Sequence, residues 1–332
     1  MKSSSYCSSR VGLAAVASFA MFTLSPHAAA QTDAYPSRPI TIVAPTAPGS
    51  TTDLIARLLV PGLTRSLGVP VIVENKAGVA SAIGATAVAQ AKPDGYTLLL
   101  APTPALAVNQ WLYKKLSYQP EKDFTPIILV GATPNVLVVH PSVAAKNMPE
   151  LIALAKAKPG EITYASGGNG TTHHLCGELL RSSAGINITH VPFKSPAPAL
   201  QDVLAGRVTM MCDNISNALV HVRAGSLRAI ALTAKKRHPL APEISTSLES
   251  GLPELDVGAW FGFVAPVGTA PAIIKRLNSE IALALREPSV AQRLEAVGVN
   301  VLADSADSFG QFVTAESAKW RKVVESSGAQ ID

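Results

Sequence analysis

The chain has 332 residues, of which 15% are charged, and a formal net charge of +5. So weak a balance, with Lys and Arg scattered along the chain, excludes a nucleic-acid binder built on a basic face. The length beyond a short leader suffices for two domains of ordinary size.

The leader comes first. Lys2 and Arg10 form a basic start, Val11–Leu24 is an uncharged apolar run, and Ala28-Ala29-Ala30 supplies small residues for a signal peptidase. The run is shorter than the ~20 residues that span a bilayer, so it reads as an export signal cleaved after Ala30, which sends the protein to the periplasm. Cys7 precedes the apolar run and is no lipoprotein cysteine. Without Lys2 and Arg10, two of the 28 basic residues, the remainder carries about +3, compatible with collecting anions. Cys176 and Cys212 remain, and an oxidising compartment allows them to pair or to stay as buried thiols.

Strand-like and helix-like runs then alternate. Residues 39–44, 70–74, 96–101, 135–140, 161–165, 207–212, 227–233 and 260–265 read as buried strands. A helix opens near Asp53 with Leu54, Ile55, Leu58, Leu59 and Leu63 on one face, and Pro61 is expected to kink or end it. Asn147 with Glu150 three residues later reads as a capping box. Further helices follow Thr171 and Ser195, and residues 269–327 are mainly helical. This alternation predicts an α/β fold of parallel sheets with helices on both faces.

Two strand–turn–helix junctions carry the chemistry. Pro45-Thr46-Ala47-Pro48-Gly49-Ser50-Thr51-Thr52-Asp53 follows the first strand and opens the first helix. Its hydroxyls and the free N–H groups of the helix start suit an anion, or form an ordinary cap. Ser166-Gly167-Gly168-Asn169-Gly170-Thr171-Thr172-His173-His174 has the same placement and a denser run of glycines, which lets N–H groups converge into a concave nest. In open α/β sheets ligands bind beyond the carboxyl ends of strands, so the two junctions are expected to face each other across a cleft. No nucleophile elbow, phosphate loop or H-E-x-x-H pair is present. Ser166, His174 and Asp213 have the residue types of a catalytic triad, but so do residues of any long chain. The expectation is therefore no catalytic residue, no metal and no cofactor.

Several strings in order resemble the substrate-binding components of tripartite tricarboxylate transporters, the Bug family. They include Tyr35-Pro36-Ser37-Arg38-Pro39-Ile40, Val73-Glu74-Asn75-Lys76-Ala77-Gly78, Pro93-Asp94-Gly95-Tyr96, Tyr164 to Gly170, His190-Val191-Pro192-Phe193-Lys194 and Trp260-Phe261-Gly262-Phe263. The resemblance implies a two-domain periplasmic-binding-protein fold of type II character. A ligand cleft would lie between the domains, with two interdomain crossovers. Residues 31–134 with 253–332 would form domain 1 and residues 135–252 domain 2. It implies capture of a small carboxylate (a di- or tricarboxylate, an aromatic acid or an acidic amino acid) by a monomer. Delivery would be to a two-subunit membrane permease.

Carried over by position, the resemblance points to Thr46, Pro48, Gly49, Ser50 and Asp53 in the first loop, and to Thr103 and Pro104 after a strand. In the second half it points to Ser166, Asn169, Gly170, Thr171, Thr172, His174, Phe193, Lys194, Ser195 and Asp213. The backbone N–H groups of Gly49, Ser50, Gly170 and Thr171 are the expected donors. The family usually has an aromatic residue at the place of Thr46, glycine at Ser50, and Tyr and Gly at Phe193 and Ser195, so the pocket differs from the common one. Presentation of ligand to a sensor kinase would use the same cleft. An enzyme would need a paired acid and base that these loops, rich in hydroxyls and amides, do not offer.

Overall fold

The computed structural model describes residues 35–78 and 80–327. The expected export signal, residues 1–30, lies outside them. In chain order the elements are β1 (Ile40–Ala44), α1 (Thr51–Leu67), β2 (Val71–Asn75), α2 (Ala82–Ala89) and β3 (Thr97–Pro102). A π-helical turn (Pro104–Val108), α3 (Asn109–Leu112), α4 (Pro120–Asp123) and β4 (Phe124–Val139) follow. Then come α5 (Met148–Ala157), β5 (Thr163–Ser166), α6 (Thr172–Ala184), β6 (Thr189–Pro192), α7 (Pro196–Leu204), β7 (Met210–Asn214), α8 (Ile215–Arg223) and β8 (Arg228–Leu232). The chain closes with β9 (Gly258–Pro266), α9 (Pro271–Arg286), α10 (Pro288–Ala296), β10 (Asn300–Val301) and α11 (Ala306–Ser327).

The strands join in one sheet of order β2-β1-β3-β9-β4-β7-β5-β6, with β8 and β10 also on β4. The sheet is mixed, not parallel throughout as expected. The triplets β2-β1-β3 and β7-β5-β6 are parallel, but β9 runs against β3 and β4, and β7 runs against β4. β4 is the reason. Sequence reading places a strand only over 135–140, yet the strand begins at Phe124, because Pro126, Gly131 and Pro134 break the apolar pattern without breaking the ladder. Register shifts between Pro126 and Ile128 and between Leu129 and Gly131 absorb these residues. Phe124–Pro134 pairs with β9, whereas Asn135–Val139 pairs with β7 and β8.

Helices cover both faces. α1 and α9 bury Ile55, Leu59, Leu63, Leu277 and Ile281 against Ile128, Val130 and Phe263. α7 and α8 bury Val203, Ile215 and Leu219 against Val136 and Val138. The opposite face has one continuous core running through both halves, from Leu99 and Leu106 through Leu129 and Leu137 to Leu175, Leu180 and Trp320. α1 does not stop at Pro61 but runs on to Leu67 and ends at Gly68 in the left-handed conformation. Pro61 is exposed, so the Arg57 carbonyl it leaves without a helical partner faces the solvent side, while Leu59 and Leu63 remain anchored. α5 has its expected box: the Asn147 side chain accepts from the Glu150 N–H at 3.0 Å, and the Glu150 carboxylate accepts from the Asn147 side-chain amide.

Cys176 and Cys212 are bonded, with Cα atoms 6.2 Å apart and both residues buried. The bridge ties α6 to β7, the helix behind one glycine-rich loop to the strand that carries Asp213 and ends in Asn214. Replacing both cysteines by alanine is expected to cost about 2–4 kcal/mol by freeing the unfolded chain. Urea unfolding of the oxidised protein and the double variant checks this, and equal midpoints would contradict it.

Candidate functional site

The register of β4 decides where the two junctions sit. Pro102, the last residue of β3, pairs with Phe261 of β9, which pairs with Gly131 of β4. Asn214, the last residue of β7, pairs with Asn135 of β4. β3 runs with β4 and β7 runs against it, so their carboxyl ends point toward each other. Their partners on β4 are four residue steps apart, or about 13 Å. β1 lies beside β3 and β5 beside β7, both parallel, so the loops after β1 and β5 flank this gap. α1 leaves on one face of the sheet and α6 on the other.

The first loop is braced by Asp53. This carboxylate is 3% exposed and accepts from the Gly49 N–H at 2.9 Å, from Asn75 Nδ2 at 2.9 Å and from Arg57 Nε at 3.0 Å. Burial pushes its pKa up, but the hydrogen bonds from Arg57, Gly49 and Asn75 outweigh that and hold it below the usual carboxylate range. Gly49 has φ +81°, the left-handed turn that aims its N–H at Asp53. Thr46 Oγ1 lies 2.7 Å from Ser50 Oγ, and Ser50 caps α1 by accepting from the Asp53 N–H. Pro48 is exposed, and Thr46 and Ser50 are half-buried.

The second loop is braced by histidines. Gly170 donates its N–H to His174 Nδ1 at 3.1 Å, and Ser166 Oγ lies 2.6 Å from His190 Nε2. His190 is stacked between His174 (4.3 Å between centroids) and Tyr164 (4.8 Å), and Tyr164 donates to Glu178 at 2.5 Å. Burial, aided by neighbouring His174, pushes His190 down to about 4. Burial also lowers His174, against the pull of Glu178. Gly170 has φ +78°, and a Cβ there would run into Leu112 of α3, so this loop packs against the first half of the chain.

The donors expected at Gly49, Ser50, Gly170 and Thr171 are thus engaged within their own loops: Ser50 donates to Ala47 at 3.3 Å and Thr171 to Gly168 at 3.4 Å. The helix-start N–H groups left without an intrahelical acceptor are those of Thr51 and Thr52 in α1 and of Thr172 and His173 in α6. The carboxylate of Asp53, the hydroxyl of Ser166 and the ring of His174 are likewise committed to holding loops. Thr103 is fully buried, and its hydroxyl accepts from the Trp260 N–H at 2.9 Å, fastening β3 to β9, while Pro104 opens the π-helical turn.

Asn169, Lys194 and Ser195 are exposed, Thr172 is buried, and Phe193 is half-buried against the core beneath α7 and α8. Ser195 and Asp213 share a cavity of about 460 Å³ at the mouths of α7 and α8, together with Ser216 and Asn217. Among the described residues no hydrogen bond joins the loop 46–53 to the loop 166–174. Sequence reading missed Asn75, Tyr164, Glu178 and His190 as braces. Asn75 ends β2, the one signal that marks it, whereas His190 lies in the first half of β6 and carries no such signal.

A family model described as the tripartite tricarboxylate transporter family receptor matches residues 55–329. Protein BugT of Bordetella pertussis is 38% identical over 300 residues, which cover 90% of this chain and 92% of BugT. An R. palustris protein solved with adipate superposes with a TM-score of 0.80 at 34% identity, covering 90% of this chain and all of the other. MatC of Rhodopseudomonas palustris with bound malate gives 0.77 at 34% identity, covering 87% of this chain and 100% of MatC. The periplasmic binding protein BugD gives 0.77 at 34% identity, covering 89% and 99%. The fold is that of these periplasmic binding proteins.

The histidine stack makes stability depend on pH. An unfolded histidine takes up its proton near 6.5, whereas folded His190 resists until about 4. This contribution is therefore fully present above pH 6.5 and is lost as pH falls from there toward 4, with His174 acting in the same direction. Urea midpoints at about pH 7.5 and about pH 5 are expected to differ, and His190→Gln to shrink the difference by removing one of the linked protons. A His190→Gln variant as pH-sensitive as the parent would contradict this.

Proposed function

Since the chain belongs to the tripartite tricarboxylate transporter receptor family, a family of periplasmic solute-binding proteins and not of enzymes, we propose that it captures a small organic carboxylate between the mouths of α1 and α6 and delivers it to a two-subunit membrane permease. The observation that carries this reading is the pair of uncommitted N–H groups at each mouth, Thr51 with Thr52 and Thr172 with His173, flanking the opposed ends of β3 and β7. Helix N-termini favour negative charge, and rigid N–H donors bind an anion without a mobile cation. Adipate and malate, held by the two R. palustris relatives, are acids of this class.

In this reading residues 31–134 with 253–332 move against residues 135–252, and ligand favours the closed form only by touching both mouths. The hinge would lie in β4 between Pro134 and Asn135 and in the segment that joins β8 to β9. The protein works as a monomer, reaches the periplasm through the leader ending at Ala30, and presents the closed shape to its permease.

A thermal-shift panel of mono-, di- and tricarboxylates, aromatic acids and acidic amino acids tests the reading. Ligand at about 100 times its Kd stabilises the folded state by about 2.7 kcal/mol. One acid class is expected to raise the melting temperature, and a folded protein that answers to none would overturn the reading.

Proline tests the donors themselves. It is well tolerated at the first helical position, where the N–H it removes has no intrahelical acceptor, and a Thr→Val variant at the same position controls for the lost hydroxyl. Ser50 and Thr171, with ψ of 163° and 157°, already have the extended backbone that a following proline requires. Thr51→Pro and Thr172→Pro are each expected to weaken binding about 10-fold or more, the loss of one charge-assisted hydrogen bond. Unchanged titration curves for both folded variants would contradict the role of the mouths.

A further inference from the structure

A cavity of about 360 Å³ opens where the chain passes between its two halves. Both connections line it, through Pro134 of β4 and through Ala234 and Gly258 at the two ends of the segment that joins β8 to β9. It shares no residue with the loops 46–53 and 166–174, nor with the cavity beside Ser195 and Asp213. Its volume is that of a small-molecule site. Trp260 of β9 and Phe312 of α11 meet edge to face, with ring centroids 5.3 Å apart, and give it an aromatic wall. The carboxylates beside them are already compensated. Glu316 accepts from the indole N–H groups of Trp260 and Trp320 at 3.0 Å each and from Lys319 Nζ at 2.9 Å, and Asp256 lies 3.5 Å from Lys235. The facing wall carries Lys236 and His238. Among the described residues the exposed Lys236 has no ion pair or hydrogen bond. His238 is 2% exposed, and its Nδ1 accepts from the Leu240 N–H at 3.2 Å, so Nε2 carries the ring proton. That buried Nε2 closes no hydrogen bond, even with the Asn300 side chain of β10 beside it. Buried polar groups in folded proteins are otherwise nearly all paired.

We infer that this cavity is a second ligand site, separate from the one between the mouths of α1 and α6, and that it takes a small monocarboxylate with an aromatic body. The ligand ring packs on Trp260 and Phe312, where aromatic pairs gain more than their buried area. Lys236 and the His238 N–H are two uncommitted donors, one for each oxygen of a carboxylate. A second carboxylate on the ligand would come against Glu316 and Asp256, so the class is that of monoacids. A cationic group in place of the carboxylate would meet Lys236 instead. A ligand seated there touches both halves of the chain, and so favours one angle between them over others. The inference does not depend on the carboxylate-capture reading above.

Benzoate, benzamide and benzylammonium share one ring and differ in charge, and each is titrated into the purified protein while its backbone and indole N–H signals are followed by NMR. Benzoate is expected to shift the Trp260 indole N–H and the amides of Lys236 and His238 on one saturation curve. It is expected to bind there about 10-fold or more tightly than benzamide or benzylammonium, the worth of a charge-assisted hydrogen bond. Lys236→Glu, a change at an exposed side chain, is expected to weaken benzoate at these signals about 10-fold or more. Thr172→Pro, at the mouth of α6, is expected to leave them unchanged. No response at Trp260, equal affinity for benzamide, a curve unmoved by Lys236→Glu, or a response lost in folded Thr172→Pro would overturn the second site. A Trp260 response in a protein whose mouths answer to no acid would uphold the second site while the carboxylate-capture reading failed.

Discussion

Strand β4 is one uninterrupted backbone with two sets of partners. Up to Pro134 its hydrogen bonds go to β9 and β10, and from Asn135 onward they go to β7 and β8. Everything at the site follows from that change of partner. It sets the carboxyl ends of β3 and β7 pointing at each other, and therefore sets the loops after β1 and β5 on either side of one gap. Backbone ladder bonds fix register strongly where both faces are buried, as they are here. The separation of the two mouths is thus a property of the sheet, and the loops need only present donors at its margin.

The loops themselves are stiffened from within. Asp53 collects Gly49, Asn75 and Arg57, while His174 and His190 hold Gly170 and Ser166. Several polar groups expected to meet ligand also hydrogen-bond within their own loops. In the proposed reading, the N–H groups one step further along each helix are held in a fixed direction before ligand arrives. Donors that need no reordering lose little entropy when the anion arrives, which is how preorganisation raises affinity. The disulfide extends the same logic by tying α6 to the strand that carries Asp213.

Much of this was legible in the sequence, and the illegible part has physical causes. Both junctions, the α5 capping box and most strands are local patterns, and the structure has them at or within a few residues of their expected places. The first half of β4 was hidden because Pro126, Gly131 and Pro134 disguise a strand whose bulges accommodate them. Pro61 misled for the converse reason, since a proline on an exposed helix face interrupts little when the buried face is well anchored. Pairing of Cys176 with Cys212 depends on a Cα separation that no spacing reveals. The residues at the loops were visible as types, but not the atoms that stay uncommitted, because Asn75 and His190 reach them from distant strands.

The central claim is that both helix mouths grip one anion through the N–H groups of Thr51, Thr52, Thr172 and His173. Amide NMR of the protein, recorded with and without the acid that most raises its melting temperature, tests it most directly. The account predicts that these four amide signals shift together with one saturation curve, while those of Gly49, Ser50, Gly170 and Thr171, held by internal partners, move less. Shifts confined to one mouth, or largest at the internally bonded amides, would contradict it.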